Sequence, residues 1–253
     1  MEKGDEIYLS RLALNPLSRE VRSDVSDCHK LHERILSAFP KAEGSDQKAR
    51  ERFGVLHRLD HERRKYQLVL LVQSKLKPDW SVLPPGYLLE GSNEENPACK
   101  LVHEKYAALQ AGQELLFRLR ANPTRRVREC STREHDPKFY GKRVDVRGED
   151  AQVEWLERKG QACGFELGRV SVNRDAFNLR VAPEGRVTGR YKDRAAESVS
   201  KSSGLTFGSV LFEGELVVSD VESFRQAIVE GIGSAKAFGF GLLSIAPGGR
   251  LHQ

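Results

Sequence analysis

The chain has 253 residues and carries 41 Lys and Arg against 36 Asp and Glu, a formal net charge of +5. With 39% apolar and 30% charged residues it has the composition of a soluble globular protein, long enough for one large domain or for two that each bury a core. Mid-chain, the longest polar-free run, residues 68–72, falls far short of the roughly 20 residues of a membrane-spanning helix, and the polar start (Met1, Glu2, Lys3) offers no secretory segment, so a cytoplasmic protein with no membrane partner is expected.

Residues 7–14 read as a strand ended by Asn15 and Pro16. A helix is expected over 24–39: Val25, Cys28, Leu31, Ile35, Leu36 and Phe39 recur at helical spacing, Ser23 or Asp24 is placed to cap it, and Pro40 follows its end. Residues 53–59 and 66–74 read as a hairpin joined by the charged turn 60–64. The stretch 78–97, rich in Pro, Gly and Asn, reads as loop, 100–109 as a short helix, and 115–121 as a strand that stops at Asn122 and Pro123. This β-α-β-β-α-β order is that of a ferredoxin-like unit.

A second pass of the same order follows. It has a short strand at 144–147, a helix at 151–163 with Val153, Leu156 and Ala162 inward, strands at 165–173 and 210–218, a helix at 220–230 capped by Ser219 or Asp220, and a closing strand at 242–246. Residues 183–204 have few large apolar side chains and many Gly, Arg and Ser, so a long mobile loop or hairpin is expected there. The expected fold is α+β, two tandem ferredoxin-like domains over 1–134 and 135–253.

The modest net charge hides a sharp distribution. Residues 118–143 hold nine Lys and Arg against three acids, and residues 186–201 hold five against two, which leaves the rest of the chain mildly acidic. Two basic stretches on such a body are the footprint of a polyanion partner, set against the plain alternative of a solvated cationic loop. Arg118 and Arg120 alternate with apolar residues and so emerge on one face of a strand. Arg125 and Arg126 extend that surface past the turn, Lys142 and Arg143 follow Gly141, and Arg190 and Lys192 lie in the second stretch. Arginine's planar fork suits phosphate. The alternative, a salt-bridged sheet edge, is weakened because few acids lie nearby in sequence.

Four cysteines (Cys28, Cys99, Cys130 and Cys163) lie at least 31 residues apart, which argues against a zinc ribbon or a paired redox motif; reduced thiols and no metal are expected. Residues 231–243 place Gly231, Gly233, Gly239 and Gly241 around Lys236. Such glycines allow a tight, positive-φ backbone and close approach of a ligand. They follow a helix and lead into a strand, the reverse of a dinucleotide fingerprint, and Ala237 after Lys236 rules out a phosphate loop. A packed helix-to-strand turn is the plain reading, and a nucleotide-binding regulator ranks last. His29 and His32 stand three apart, so they share a helix face. Histidine takes and returns a proton near neutrality, as cleavage of RNA by its own 2′-hydroxyl requires, although a surface histidine is the commoner outcome for either residue alone. His57, His61, His103, His135 and His252 read as structural or incidental.

Taken in order, these segments closely resemble the CasE family, the CRISPR-associated endoribonucleases of type I-E systems. The residues that carry the likeness are Tyr8, Leu9, Ser10 and Arg11 with Asn15 and Pro16; Leu31 and His32 with Phe39 and Pro40; residues 71–74 with Pro78, Asp79 and Trp80; residues 117–123; Gly141, Lys142 and Arg143; Trp155 and Leu156; Phe212, Glu213 and Gly214; and residues 231–247. The resemblance implies two tandem ferredoxin-like domains and metal-free, cofactor-free cleavage of a CRISPR repeat hairpin at the 3′ base of its stem. The product hairpin then stays bound, with the protein a subunit of Cascade. The family's catalytic histidine carries over to His32. Many members have a tyrosine three residues earlier, where this chain has His29, here taken to assist. The resemblance also makes the glycine segment and the basic strand RNA-facing and puts residues 186–201 where members reach the stem's groove. A non-catalytic RNA-binding subunit on the same fold is the rival reading.

Overall fold

In the computed structural model, which describes residues 6–41, 46–62, 67–91, 94–127, 141–170, 173–191 and 203–248, strand β1 spans Tyr8–Leu14 and buries Leu12, Ala13 and Leu14. The chain then enters two helices, where the sequence suggested one over 24–39. Helix α1 spans Arg19–Val25, capped by Ser18, and α2 spans Cys28–Leu36. The break falls at Ser26 and Asp27. Asp27 has an extended backbone (φ −140°, ψ 107°), and its carboxylate accepts the N–H groups of His29 and Lys30, so it starts a new helix. Asp24, expected as a cap, is buried against Arg34 and Tyr87.

Helix α3 (Asp46–Phe53), which the sequence pattern did not signal, leads into β2 (Leu56–Glu62); β2 pairs with β3 (Gln67–Ser74), and β3 pairs with β1. The loop after β3 carries one 3-10 turn, Trp80–Val82, whose buried indole donates to Ser10 Oγ at 3.0 Å. Strand β4 (Ala98–Leu101) then lines the free side of β1, and α4 (His103–Ala107) follows. The sheet order β2-β3-β1-β4 is ferredoxin-like, with the loop in place of a second crossover helix.

The strand expected to close this sheet does not belong to it. Strand β5 (Glu114–Ala121) opens the second sheet: Leu115, Phe117, Leu119 and Ala121 pack with Phe165, Phe212, Phe224 and Ile228. After it, β6 (Thr124–Arg126) and β7 (Arg143–Asp145) pair with each other as a separate arm, so the strand expected at 144–147 lies outside the sheet. The remaining elements are α5 (Glu149–Ala162), β8 (Phe165–Leu167), β9 (Arg169–Val170), β10 (Asn173–Phe177), β11 (Leu179–Tyr191), β12 (Ser203–Val218), α6 (Val221–Glu230) and β13 (Leu243–Pro247). Their order β11-β12-β5-β13 repeats the first sheet, with β8 also pairing with β12. The chain is thus two tandem ferredoxin-like units. We propose that the domain boundary lies between α4 and β5, near residues 108–113, instead of at 134/135.

The segment expected as a long loop or hairpin is a hairpin in its described part. Strands β11 and β12 pair from Leu179↔Gly214 to Tyr191↔Ser203. Lys192 lies outside the described residues.

Candidate active site

Three parts of the chain, far apart in sequence, meet at the seam between the two units. Helix α2 brings His29 and His32. His32 is 3% exposed, whereas the His29 side chain keeps 12% exposure and its Nδ1 lies 3.5 Å from Glu33 Oε2. From the second unit comes the glycine segment. Gly231, Gly233, Gly239 and Gly241 all have φ between 79° and 90°, the left-handed region expected for them. Between them a single 3-10 turn, Lys236–Phe238, sets the Phe238 ring edge-on to His32, with centroids 6.0 Å apart. From β2 comes His57, 1% exposed. A Cβ at Gly239 would stand 3.5 Å from its Nε2, and that nitrogen has no hydrogen-bond partner among the described residues. Burial, then the charges of His32, Arg120 and Arg50, hold the His57 pKa down to about 3, so its ring is neutral. Sequence reading set His57 aside, and only the fold brings it under Gly239.

The β11–β12 hairpin crosses the start of α2. A Cβ at Gly189 would be 2.6 Å from Cys28 Sγ, so only glycine permits this approach, and the Arg190 N–H donates to Asp27 Oδ1 at 3.3 Å. Burial, with Asp27 adding to it, raises the Cys28 thiol to about 11, so it stays protonated. Arg186 and Arg190 are exposed on this hairpin.

The cations divide into two sets. Arg118 and Arg120, expected to face RNA, are engaged by acids that the sheet delivers from far along the chain. Arg120 grips Glu184 through Nε at 2.6 Å and Nη2 at 2.9 Å, donates to the Leu59 carbonyl, and its side chain is 14% exposed. Arg118 donates to Glu213 at 2.7 Å and lies 3.6 Å from Asp60. Beneath them the buried Arg58 binds Asp60 and donates to the carbonyls of Arg118 at 3.1 Å and Leu242 at 3.2 Å. These three arginines tie the first unit to the second.

The other set is exposed, as is the Arg118 side chain at 46%. Arg125, Arg126, Lys142 and Arg143 crowd the β6–β7 arm, where Arg126 stands directly across the ladder from Arg143. Like charges in that position are destabilising without a counter-charge. The arm is rooted in the site through Asn122, 4% exposed: Ser234 of the glycine segment donates to Asn122 Oδ1 at 3.1 Å, and the Asn122 amide donates to the Gly208 carbonyl of β12 at 2.9 Å. Lys236 is half-buried, and burial with the nearby Arg50 lowers its pKa. Among the described residues no three His, Cys, Asp or Glu side chains gather where they could hold a metal, and no helix is long and apolar enough to cross a membrane.

Known proteins share this architecture. Residues 7–247 match the family model described as CRISPR associated protein. The CRISPR-associated endoribonuclease Cse3 of Thermus thermophilus is 34% identical over 250 residues, covering 95% of this chain and 100% of its own. The CRISPR system Cascade subunit CasE of Escherichia coli is 33% identical over 141 residues, covering 55% of this chain and 61% of its own. The structure of Thermus thermophilus Cse3 bound to an RNA representing a pre-cleavage complex superposes with a TM-score of 0.70 at 32% identity, covering 96% of this chain and 100% of the other.

Proposed function

Because the chain belongs to the CasE family of CRISPR-associated endoribonucleases, we propose that it binds CRISPR repeat hairpins in precursor RNA, cuts at the 3′ base of the stem, and stays with the product in Cascade. The observation that carries this reading is the meeting of His32 and His29 with the glycine segment at a seam flanked by exposed cations.

The chemistry we assign needs no metal. The 2′-oxygen attacks the adjacent phosphorus as the bond to the 5′-oxygen breaks, leaving a 2′,3′-cyclic phosphate and a 5′-hydroxyl. One group takes the 2′-hydroxyl proton, another gives a proton to the departing oxygen, and cations hold the phosphate. His32 is the acid/base residue in this scheme and His29 assists. RNA is held by Arg125, Arg126, Lys142 and Arg143 on the arm, by Arg190 on the hairpin, by Lys236, and by Lys192, which lies outside the described residues. Such surfaces suit an A-form stem, which is read through shape and phosphates. Arg118 and Arg120 serve by fixing the seam, their charges being matched by Glu213 and Glu184. The place of work is the cytoplasm, where precursor RNA is made.

The test is incubation with labelled repeat hairpin in EDTA, beside the same RNA carrying a 2′-deoxy nucleotide upstream of the scissile phosphate. One cut at the stem base, lost with the 2′-deoxy, is expected. Tight binding without a cut would reduce the protein to a binding subunit, and a cut that needs added divalent ions would overturn the metal-free scheme.

The arm gives a second expectation. Replacing Arg126 with Ala removes one phosphate contact and should lower the slope of log affinity against log salt by about 0.7–0.9. It also relieves the Arg126–Arg143 opposition, so thermal stability should hold or rise slightly. An unchanged slope would place Arg126 outside the interface.

A further inference from the structure

Among the described residues three phenylalanines belong to neither hydrophobic core. Phe207 on β12, Phe238 in the 3-10 turn and Phe240 in the glycine segment pack on one another at the seam. Phe207 and Phe238 are stacked, with centroids 5.1 Å apart and planes 21° apart, and Phe240 meets Phe207 edge-on at 6.0 Å. Phe240 is fully buried, while Phe207 and Phe238 keep part of their surface in water. The stacked core pairs Phe39–Phe53 and Trp155–Phe212 are instead buried on both rings. Rings that stay partly wet between two domains, outside both cores, have the character of a binding surface.

Their backbone is held at a cost. Ala235, just before the turn, has φ 58°, the single positive-φ residue other than glycine among those described, and Gly239, just after it, has φ 90°. A residue with a Cβ resists this conformation, so surrounding structure must enforce it, and such strain gathers at functional positions. What it secures here is the placement of Phe238 against His32. His32 is buried, and Phe238 is its ring neighbour, so a nucleotide that brings its phosphate to His32 passes these rings. Lys236 opens the same turn, and Arg186, paired with Gly208 beside Phe207, supplies charge for the flanking backbone.

We propose that the stacked pair Phe207–Phe238 is a nucleobase subsite that holds the unpaired base immediately 3′ of the cut. This rests on the endoribonuclease reading above. Stem bases are already stacked in the helix, whereas an unpaired base is free to splay onto an aromatic face. Phenylalanine offers a π-face and no hydrogen bond, so the subsite accepts any base and contributes position without sequence preference. Holding that base fixes the sugar that carries the leaving 5′-oxygen.

Single-turnover cleavage of an intact hairpin, and of one with an abasic nucleotide immediately 3′ of the scissile phosphate, tests this with the wild type, Phe207→Leu and Phe238→Leu. The wild type should lose roughly tenfold in kcat/KM with the abasic RNA. Each Leu variant should lose a similar factor on intact RNA and little more on abasic RNA. Phe207→Tyr, which keeps a ring, should retain the abasic penalty. An equal abasic penalty in all four proteins would overturn the subsite while leaving the nuclease intact. No cut of the intact hairpin by the wild type would defeat the endoribonuclease reading, and the subsite with it.

Discussion

His32→Ala should slow single-turnover cleavage by about 10²–10⁴, the usual worth of a positioned acid or base, while the repeat hairpin still binds. Binding should survive because the cations assigned to RNA lie on the arm, the hairpin and the glycine segment, and none of them contacts RNA through His32. His32→Gln, which keeps more of the buried volume beside Phe238, should show the same loss and so separates chemistry from packing. His29→Ala should cost less, about tenfold, if it only assists. Burial above all holds the His57 pKa down to about 3, so its ring stays neutral throughout the range where cleavage is measured and His57 supplies no inflection there. Full-rate cleavage by His32→Ala would end its role as the acid/base residue.

Much of this site was legible in the sequence because its signals are local. Helical spacing put His29 and His32 on one face, and four glycines after a helix announced the left-handed turns that the structure contains. What escaped reading depends on partners set by topology. Alternation identified residues 115–121 as a strand but could not say which sheet would take it. The true closing strand, Ala98–Leu101, is four half-exposed residues with almost no pattern. The acids that engage Arg118 and Arg120 lie 95 and 64 residues away, beyond the neighbouring sequence, which holds few acids. His57 escaped for the same reason. Nothing in its strand hints that Gly239 will close over its Nε2.

The break between α1 and α2 is instructive in another way. An apolar stripe at helical spacing runs through it, and the capping chemistry of Asp27 overrides the stripe. The consequence reaches function, because a helix beginning at Cys28 presents its first N–H groups and Asp27 to the hairpin strand at Gly189 and Arg190. A continuous helix would have no open start for the hairpin to cross.

Arg58→Met should destabilise the protein by about 3–5 kcal/mol in denaturant unfolding, the largest stability loss expected of any arginine described here. The guanidinium is 2% exposed and its partner Asp60 is 13% exposed. Removing it takes away the hydrogen-bonding partner of a largely buried carboxylate, leaving Arg118 at 3.6 Å, and removes a donor to the carbonyls of Arg118 and Leu242. Burial alone would raise the Asp60 pKa, but the hydrogen bonds and charge of Arg58, with Arg118 and Arg120 behind them, win and hold it below the usual range. The Asp60 contribution is therefore present above the ordinary carboxylate pKa of 3.8 and fades as pH falls below it, since the unfolded chain then takes up the proton more readily. Arg180→Ala is the control. Its side chain is 69% exposed on Glu213, so the loss should stay within about 1 kcal/mol. Because Arg58 reaches from β2 to β5 and to the start of β13, its loss should also loosen the seam that brings Phe238 over His32. Cleavage by Arg58→Met should fall even at temperatures where the protein remains folded. Equal stability losses for Arg58→Met and Arg180→Ala would show that the seam is held by apolar packing instead of by this buried pair.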